Sequence, residues 1–298
     1  MNGTDESVAS EAERGWRRWY AALATNRAAR VGGLIVVALV VFTAFGPLLW
    51  PRDPVEQHLV HRLEPPSLAH PLGTDRLGRD VLARLLHGAR LSLGVAVVVT
   101  GVRLALGTAV GLVAGYVGGW VDAALMRLLD TLLSFPGIVL AIVVAGIRGP
   151  SLLNAMVALA VVGWASYARL VRSTVLSVRE REFVAASRLL GSSRLHVIRR
   201  HVLPSVVGPV VVLATLDVGG VILGAAGLSF LGLGVQPPTP EWGAMLAGGR
   251  NHLRDAWWLV NAPGGMILLT ALGFNLLGDG LRAALSATES DRVERERA

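Results

Sequence analysis

The stretch Val31-Gly-Gly-Leu-Ile-Val-Val-Ala-Leu-Val-Val-Phe-Thr-Ala-Phe-Gly-Pro-Leu-Leu-Trp50 carries no charge and is almost wholly aliphatic. As a helix it rises about 1.5 Å per residue and covers about 30 Å, the thickness of a bilayer's hydrocarbon core. Many polar residues precede it and no small-residue cleavage pattern follows, so it reads as a retained span and not a cleaved leader. Working outward, five more stretches have similar length. Leu91–Gly119 is interrupted only by Arg103. Asp122–Ile147 carries Arg127 and Asp130 in its first third and is expected to kink at Pro136. Gly149–Ala168 is uncharged, Ser205–Leu233 holds only Asp217, and Ala256–Gly278 ends at Asp279. The expected fold class is an all-α polytopic membrane protein with six transmembrane helices.

Composition agrees and narrows the chemistry. Only 16% of the 298 residues are charged, against about 25% in soluble domains, and mean hydropathy is +0.55. There is no cysteine, which excludes disulfides, thiolate zinc sites and a cysteine nucleophile. All 28 basic residues are arginine. A chain without lysine has no Walker A lysine and no Schiff-base lysine. The formal charge of +7 is unevenly spread. With the N-terminus inside, the inward segments hold Arg14, Arg17, Arg18, Arg27 and Arg30, then Arg127, then eight from Arg169 to Arg200, then Arg282, Arg292, Arg295 and Arg297. The outward segments hold half as many, so the positive-inside rule places both termini in the cytoplasm. The basic charge reads as topology and lipid contact, not nucleic-acid binding.

The expected organisation is a cytoplasmic tail (1–30), a first span (31–50), an external loop with an interfacial helix (51–90), a core of five spans (91–285) and a cytoplasmic tail (286–298). Within the core, 172–204 is a long charged cytoplasmic loop. It contains Glu180-Arg-Glu182-Phe-Val-Ala-Ala-Ser-Arg-Leu-Leu-Gly191, then Ser-Ser-Arg-Leu-His-Val-Ile-Arg-Arg-His201-Val-Leu203-Pro204. Val184–Leu190 favour a helix and Gly191 suits its C-terminus. Ser192 or Ser193 is placed to cap a second short helix, making a compact knob.

That segment resembles the EAA loop of ABC-importer permeases. The frame falls on Ala185-Ala186-Ser187, Gly191, His201 and Leu203-Pro204. Ala186, Gly191, Leu203 and Pro204 match, Ala185 stands for the acid, Ser187 for alanine and His201 for isoleucine, with Glu180 or Glu182 nearby as the acid. Further segments resemble the C-type branch of dipeptide and oligopeptide permeases: His70-Pro-Leu-Gly-Thr-Asp75-Arg-Leu-Gly78-Arg79-Asp80, Ala114-Gly-Tyr-Val-Gly-Gly119, Gly227-Leu-Ser-Phe-Leu-Gly-Leu-Gly-Val-Gln-Pro237-Pro-Thr-Pro-Glu-Trp-Gly243, and Phe274-Asn-Leu-Leu-Gly-Asp-Gly-Leu-Arg282. The likeness runs from about Arg27 to Leu285. It implies a type I importer permease with both termini inside, in a bacterial inner membrane. It implies pairing with a homologous second permease, two ATP-binding cassette subunits that bind ATP and Mg, and an extracytoplasmic binding protein. The chain itself would hold no cofactor and hydrolyse no ATP. Nickel, glutathione or another small solute is the alternative cargo, since sister importers share these motifs.

Other features carry both bland and functional readings. Arg79–His87 has Val81, Leu82, Leu85 and Leu86 on one side and reads as a short external interfacial helix capped by Thr74 or Asp75. It serves as a gate-side contact for a binding protein or as a structural plug. Trp242, Trp257 and Trp258 suit an outer aromatic belt, and the proline-rich Gln236–Pro240 is a stiff spacer or part of an entrance. His58 and His61, with Glu56 and Glu64 near, read as a solvated loop pair and not a metal set. Glycines recur at 107, 111 and 115 and again at 219, 220, 224 and 227, spacings that let helices pack closely. Gly227-Leu-Ser229-Phe superficially resembles an intramembrane serine protease, but none of the seven histidines lies in a span to serve as base.

Arg103 and Asp217 are the exceptional charges. Each lies about 18 Å into its span, from opposite faces of the membrane, and so near the midplane. A charge at that depth marks a partner or a pathway. Either the two pair with each other, or they line the path, Arg103 attracting a peptide carboxylate and Asp217 its amino group.

Overall fold

The computed structural model describes residues 26–297. The proposed N-terminal tail therefore lies, up to residue 25, outside the described residues. Ten α-helices follow in order: α1 (Arg27–Leu49), α2 (Val81–Val117), α3 (Gly119–Ser134), α4 (Gly137–Arg148), α5 (Leu152–Arg179), α6 (Glu182–Leu189), α7 (Arg194–Val197), α8 (Leu203–Phe230), α9 (Trp242–Gly249) and α10 (Trp258–Arg297). Among the described residues there is no strand, only an isolated antiparallel bridge between Thr74 and Asp80.

Among the described residues, five helices are long and apolar enough to cross a membrane: α1, α2, α5, α8 with the turn before it, and α10. The α3–α4 pair supplies a sixth as a broken span, bent by 91°. The break falls at Phe135-Pro136, because proline has no N–H for the preceding turn and its ring drives residue 135 out of helical geometry. Local chemistry sets the other ends. Asn26 accepts from Ala29 N at 3.1 Å to start α1, and Ser151 accepts from Asn154 N at 3.1 Å to start α5. Gly118 and Gly149 adopt φ of +71° and +86° where helices end.

The spans run longer than their uncharged stretches. At 37 residues, α2 is about 55 Å long, and α10 at 40 residues about 60 Å. The expected interfacial helix over Arg79–His87 does not exist as a separate element: those residues open α2, with Val81, Leu85 and Leu86 buried. Of the two surfaces open to its apolar side, membrane or neighbouring helices, the structure shows the second: Val81 packs with Ala256, Trp258 and Leu259, Leu85 joins the main core, and Leu86 lies against Gly46. Likewise the region expected as a tail after residue 285 continues α10.

Small residues bring the spans together. A Cβ at Gly107 would approach Trp164 O to 2.5 Å, at Gly111 would approach Ala168 O to 2.6 Å, and at Gly115 would approach Val175 Cβ to 2.8 Å. That stripe is the seam between α2 and α5. The second glycine run behaves unevenly: Gly219 packs on Ala271, while Gly227 faces open space. A third seam went unread in the sequence. Gly32 of α1 would place a Cβ 2.7 Å from Gly273 O, and Gly280 of α10 would place one 2.7 Å from Ala29 Cα. The main apolar core joins α2, α4, α5, α8 and α10, and a second cluster around Val171, Val175 and Val178 ties the cytoplasmic loop to α5.

Candidate functional site

Arg103 stands about 21 Å from the cytoplasmic end of α2, and Asp217 about 21 Å along α8 from Leu203, so the two share one depth. Arg103 Nη1 donates to Asp217 Oδ1 at 2.7 Å. Its Nε and Nη2 donate to the Leu159 carbonyl at 3.0 and 2.7 Å. Tyr167 OH donates to Asp217 Oδ2 at 3.0 Å. One guanidinium therefore links α2, α5 and α8. Gly163, one turn beyond Leu159, permits this, because a Cβ there would overlap the guanidinium. Tyr167 and Gly163 were not singled out from the sequence. The available signal was a tyrosine in an otherwise apolar span, with a glycine one turn before it.

The same residues border a cavity of about 610 Å³. Phe135 at the α3–α4 break, Ser166 and Tyr167 of α5, and Asp217, Gly220 and Gly224 of α8 form its wall. Arg103 and Asp217 thus both touch each other and line this space. Leu132, Ile138 and Leu213 make much of the remaining surface apolar.

The cytoplasmic loop is two short helices hinged at Gly191, whose φ of +82° is left-handed and suits a residue without Cβ. Of the two candidate serines, Ser193 caps α7, accepting from His196 N at 3.3 Å. The second helix is not free-standing. A wide π turn over Ile198–Val202 joins α7 directly to α8. Pro204 brings no N–H to the residue-200 carbonyl, and the wider turn takes up the mismatch. Val184, Val197 and Val202 are fully buried and anchor the loop on the end of α5. Glu182, Ala185, Ala186, Gly191, Leu203 and Pro204 are exposed, and Ser187 and His201 are half-buried. Leu189 and Leu190, not singled out from the sequence, are 89% and 87% exposed. Two adjacent bare leucines in a charged loop are the mark of an interaction surface.

At the opposite end, residues 50–84 fold into a hydrogen-bonded cap. Asp75 Oδ1 accepts from Leu77 N and Arg79 N at 2.8 and 3.1 Å, and Arg79 Nε donates to Asp75 Oδ2 at 2.7 Å. The cap of α2 is Asp80, not Thr74 or Asp75: its Oδ1 accepts from Ala83 N at 2.8 Å and from Trp50 Nε1 at 3.2 Å. Its Oδ2 lies 2.8 Å from His70 Nδ1 and 3.3 Å from Arg52 Nη1. The expected tryptophan belt also needs correction. Trp242 is fully buried and donates to Leu85 O at 3.0 Å, Trp258 donates to Thr74 O at 3.2 Å, and only Trp257 is exposed. The indole N–H groups found partners inside the cap, and the proline-rich stretch delivers Glu241 as N-cap of α9. Because Asp80 is buried and serves four groups, Asp80→Ala should cost about 2–3 kcal/mol. Limited proteolysis should then cut within 51–80 faster than in the unmodified chain. An unchanged cleavage rate would mean that Asp80 does not hold the cap.

Among the described residues, five apolar spans and one broken span, with a helical loop projecting from one end, define a polytopic membrane protein. The fold is shared with a chain of the inward-facing methionine ABC transporter MetNI, at TM-score 0.55 and 20% identity, covering 67% of this chain and 95% of that one. Residues 107–289 match the family described as binding-protein-dependent transport system inner membrane component, and residues 15–66 match the N-terminal TM domain of oligopeptide transport permease C. The chain belongs to this family and is a multi-pass inner-membrane permease component of a binding-protein-dependent transport system. Its relatives include the dipeptide transport system permease protein DppC of Alkalihalophilus pseudofirmus, 45% identical over 91% of this chain and 89% of that protein. The di/tripeptide permease of Pseudomonas aeruginosa is 45% identical over 90% of this chain and 91% of its own. The nickel transport permease NikC of Escherichia coli is 43% identical over 84% of this chain and 90% of its own.

Proposed function

We propose that this chain forms one half of an import path for dipeptides or oligopeptides. A homologous second permease forms the other half, an extracytoplasmic binding protein delivers the peptide, and two ATP-binding cassette subunits below bind ATP and Mg and hydrolyse the nucleotide. The observation that carries the reading is the continuity of α8. The helix enters from the exposed cytoplasmic loop through the π turn and, about 21 Å later, presents Asp217 to the mid-depth cavity. Movement of the loop is therefore movement of a cavity wall. Closure of the ATPases would push on Glu182, Ala185, Ala186 and Ser187 and on the bare Leu189–Leu190 tip. The cavity would then alternate between the two membrane faces, as one bistable packing replaces another. The named dipeptide and di/tripeptide relatives support peptide cargo. Nickel and glutathione permeases of nearly equal identity make those solutes the alternative.

The test is uptake by the importer assembled from neighbouring genes into liposomes. Labelled dipeptide should accumulate inside with ATP, whereas accumulation of nickel or glutathione alone would assign the cargo elsewhere. In the same system Ala186→Arg places a long charged side chain on an exposed helix position and leaves the loop's buried valines untouched. It should lower co-purification of the ATPase subunits at least tenfold without lowering accumulation of the permease. Unaltered ATPase binding by this variant would remove the loop from the coupling role.

A further inference from the structure

The two members of the intramembrane pair are not equally placed. Arg103 is turned into the protein, its side chain 9% exposed and its N–H groups directed at the Leu159 carbonyl and Asp217. Asp217 is twice as exposed, at 18%, and stands at the cavity wall. Each of its oxygens receives one donor, Arg103 on Oδ1 and Tyr167 on Oδ2. An ionised carboxylate has about four acceptor positions, so Asp217 retains capacity for another donor.

The approach to it is open. Gly220 and Gly224 follow Asp217 at i+3 and i+7, on the same face of α8. A Cβ at Gly220 would meet only Asp217 Oδ1, at 4.0 Å, and Gly224 borders the same cavity. Beside the carboxylate the helix thus offers bare backbone, with apolar side chains beyond. Among the described residues, no other acid and no histidine or methionine lines the cavity. A single carboxylate flanked by hydrocarbon suits an ammonium group attached to an apolar body. It serves a bare transition-metal ion poorly, since such ions favour imidazole or sulfur ligands.

We infer that Asp217 receives the cationic amino terminus of the transported peptide, reached through the gap left by Gly220. Arg103 and Tyr167 are positioning residues. Arg103 offsets the charge of the carboxylate through their 2.7 Å ion pair, so the incoming ammonium meets a local acceptor without a strong net field that would trap it. The inference rests on the peptide-import reading.

The experiment uses the assembled importer in liposomes with its binding protein, and wild-type dipeptide uptake is measured first. Absent uptake would count against the peptide reading itself. With uptake established, Gly220→Val covers the carboxylate, and its Cβ meets no other group within 4 Å. The variant should assemble normally and lose at least tenfold in dipeptide uptake. A second measurement labels the cavity of the detergent-solubilised wild-type importer, without binding protein, using a benzophenone-bearing dipeptide. A dipeptide amide, which keeps the amine, should suppress labelling of this chain, and an N-acetyl dipeptide should suppress it at least tenfold less. Equal competition by both peptides, or normal uptake by Gly220→Val, would overturn the assignment.

Discussion

Arg103→Ala should lower accumulation of the folded chain at least tenfold, and Arg103→Leu combined with Asp217→Leu should restore it to within about twofold. The single change leaves Asp217 at mid-depth with Tyr167 as its remaining donor and strips the Leu159 carbonyl of two bonds. Breaking a buried pair from one side costs about 3–5 kcal/mol, whereas replacing both partners by apolar groups is often neutral or better. A charge swap, Arg103→Asp with Asp217→Arg, should rescue only in part, because no guanidinium then reaches Leu159 from α2. Fluorescence-detected size exclusion of the tagged chain reads these variants and Asp217→Ala alike. Normal assembly of both single variants, Arg103→Ala and Asp217→Ala, with poor transport would mean that the pair does not hold the helices together. The double leucine variant should still fail to transport, since Asp217 is then gone.

The second large effect is expected at the seam between α2 and α5. Gly111→Leu would bring Cβ within 2.6 Å of Ala168 O and 2.7 Å of Val171 Cβ. The obstruction is partly backbone, so no rotamer change relieves it and the helices must separate. The cost should be about 3 kcal/mol, a fall of about 6–10 °C in the unfolding midpoint for a chain of this size. Gly101→Leu, ten residues earlier on α2, is the control: nothing lies within 4 Å of its Cβ position. Its midpoint should stay within about 2 °C of wild type. If both variants unfolded alike, leucine in the helix and not the closeness of the seam would be responsible. Separating α2 from α5 would also pull Arg103 from the Leu159 carbonyl, so transport should fall faster than stability.

Much of the architecture was legible because its causes are local. Uncharged length marks a span, proline at 136 marks its break, and Gly191 with Ser193 marks the hinge of the loop. The depths of Arg103 and Asp217 were also legible, since helical rise is constant. Their relation was not. Rise fixes how deep a residue sits but not which way it faces after packing, and the partners are 114 positions apart. The external segment misled for a related reason. An apolar side on Arg79–His87 suits a membrane surface and a protein surface equally well, and Asp80, Trp50 and Trp258 decided for the protein.

What the sequence determined by itself is therefore the class of molecule and the number and placement of its spans, because hydropathy and proline geometry act residue by residue. The tertiary structure decided that Arg103 and Asp217 meet at a cavity wall, that Gly163 and Tyr167 hold them there, and that Gly220 leaves the carboxylate reachable. Those facts depend on the rotation of α2, α5 and α8 about their axes. Only the simultaneous close packing of all the helices sets that rotation.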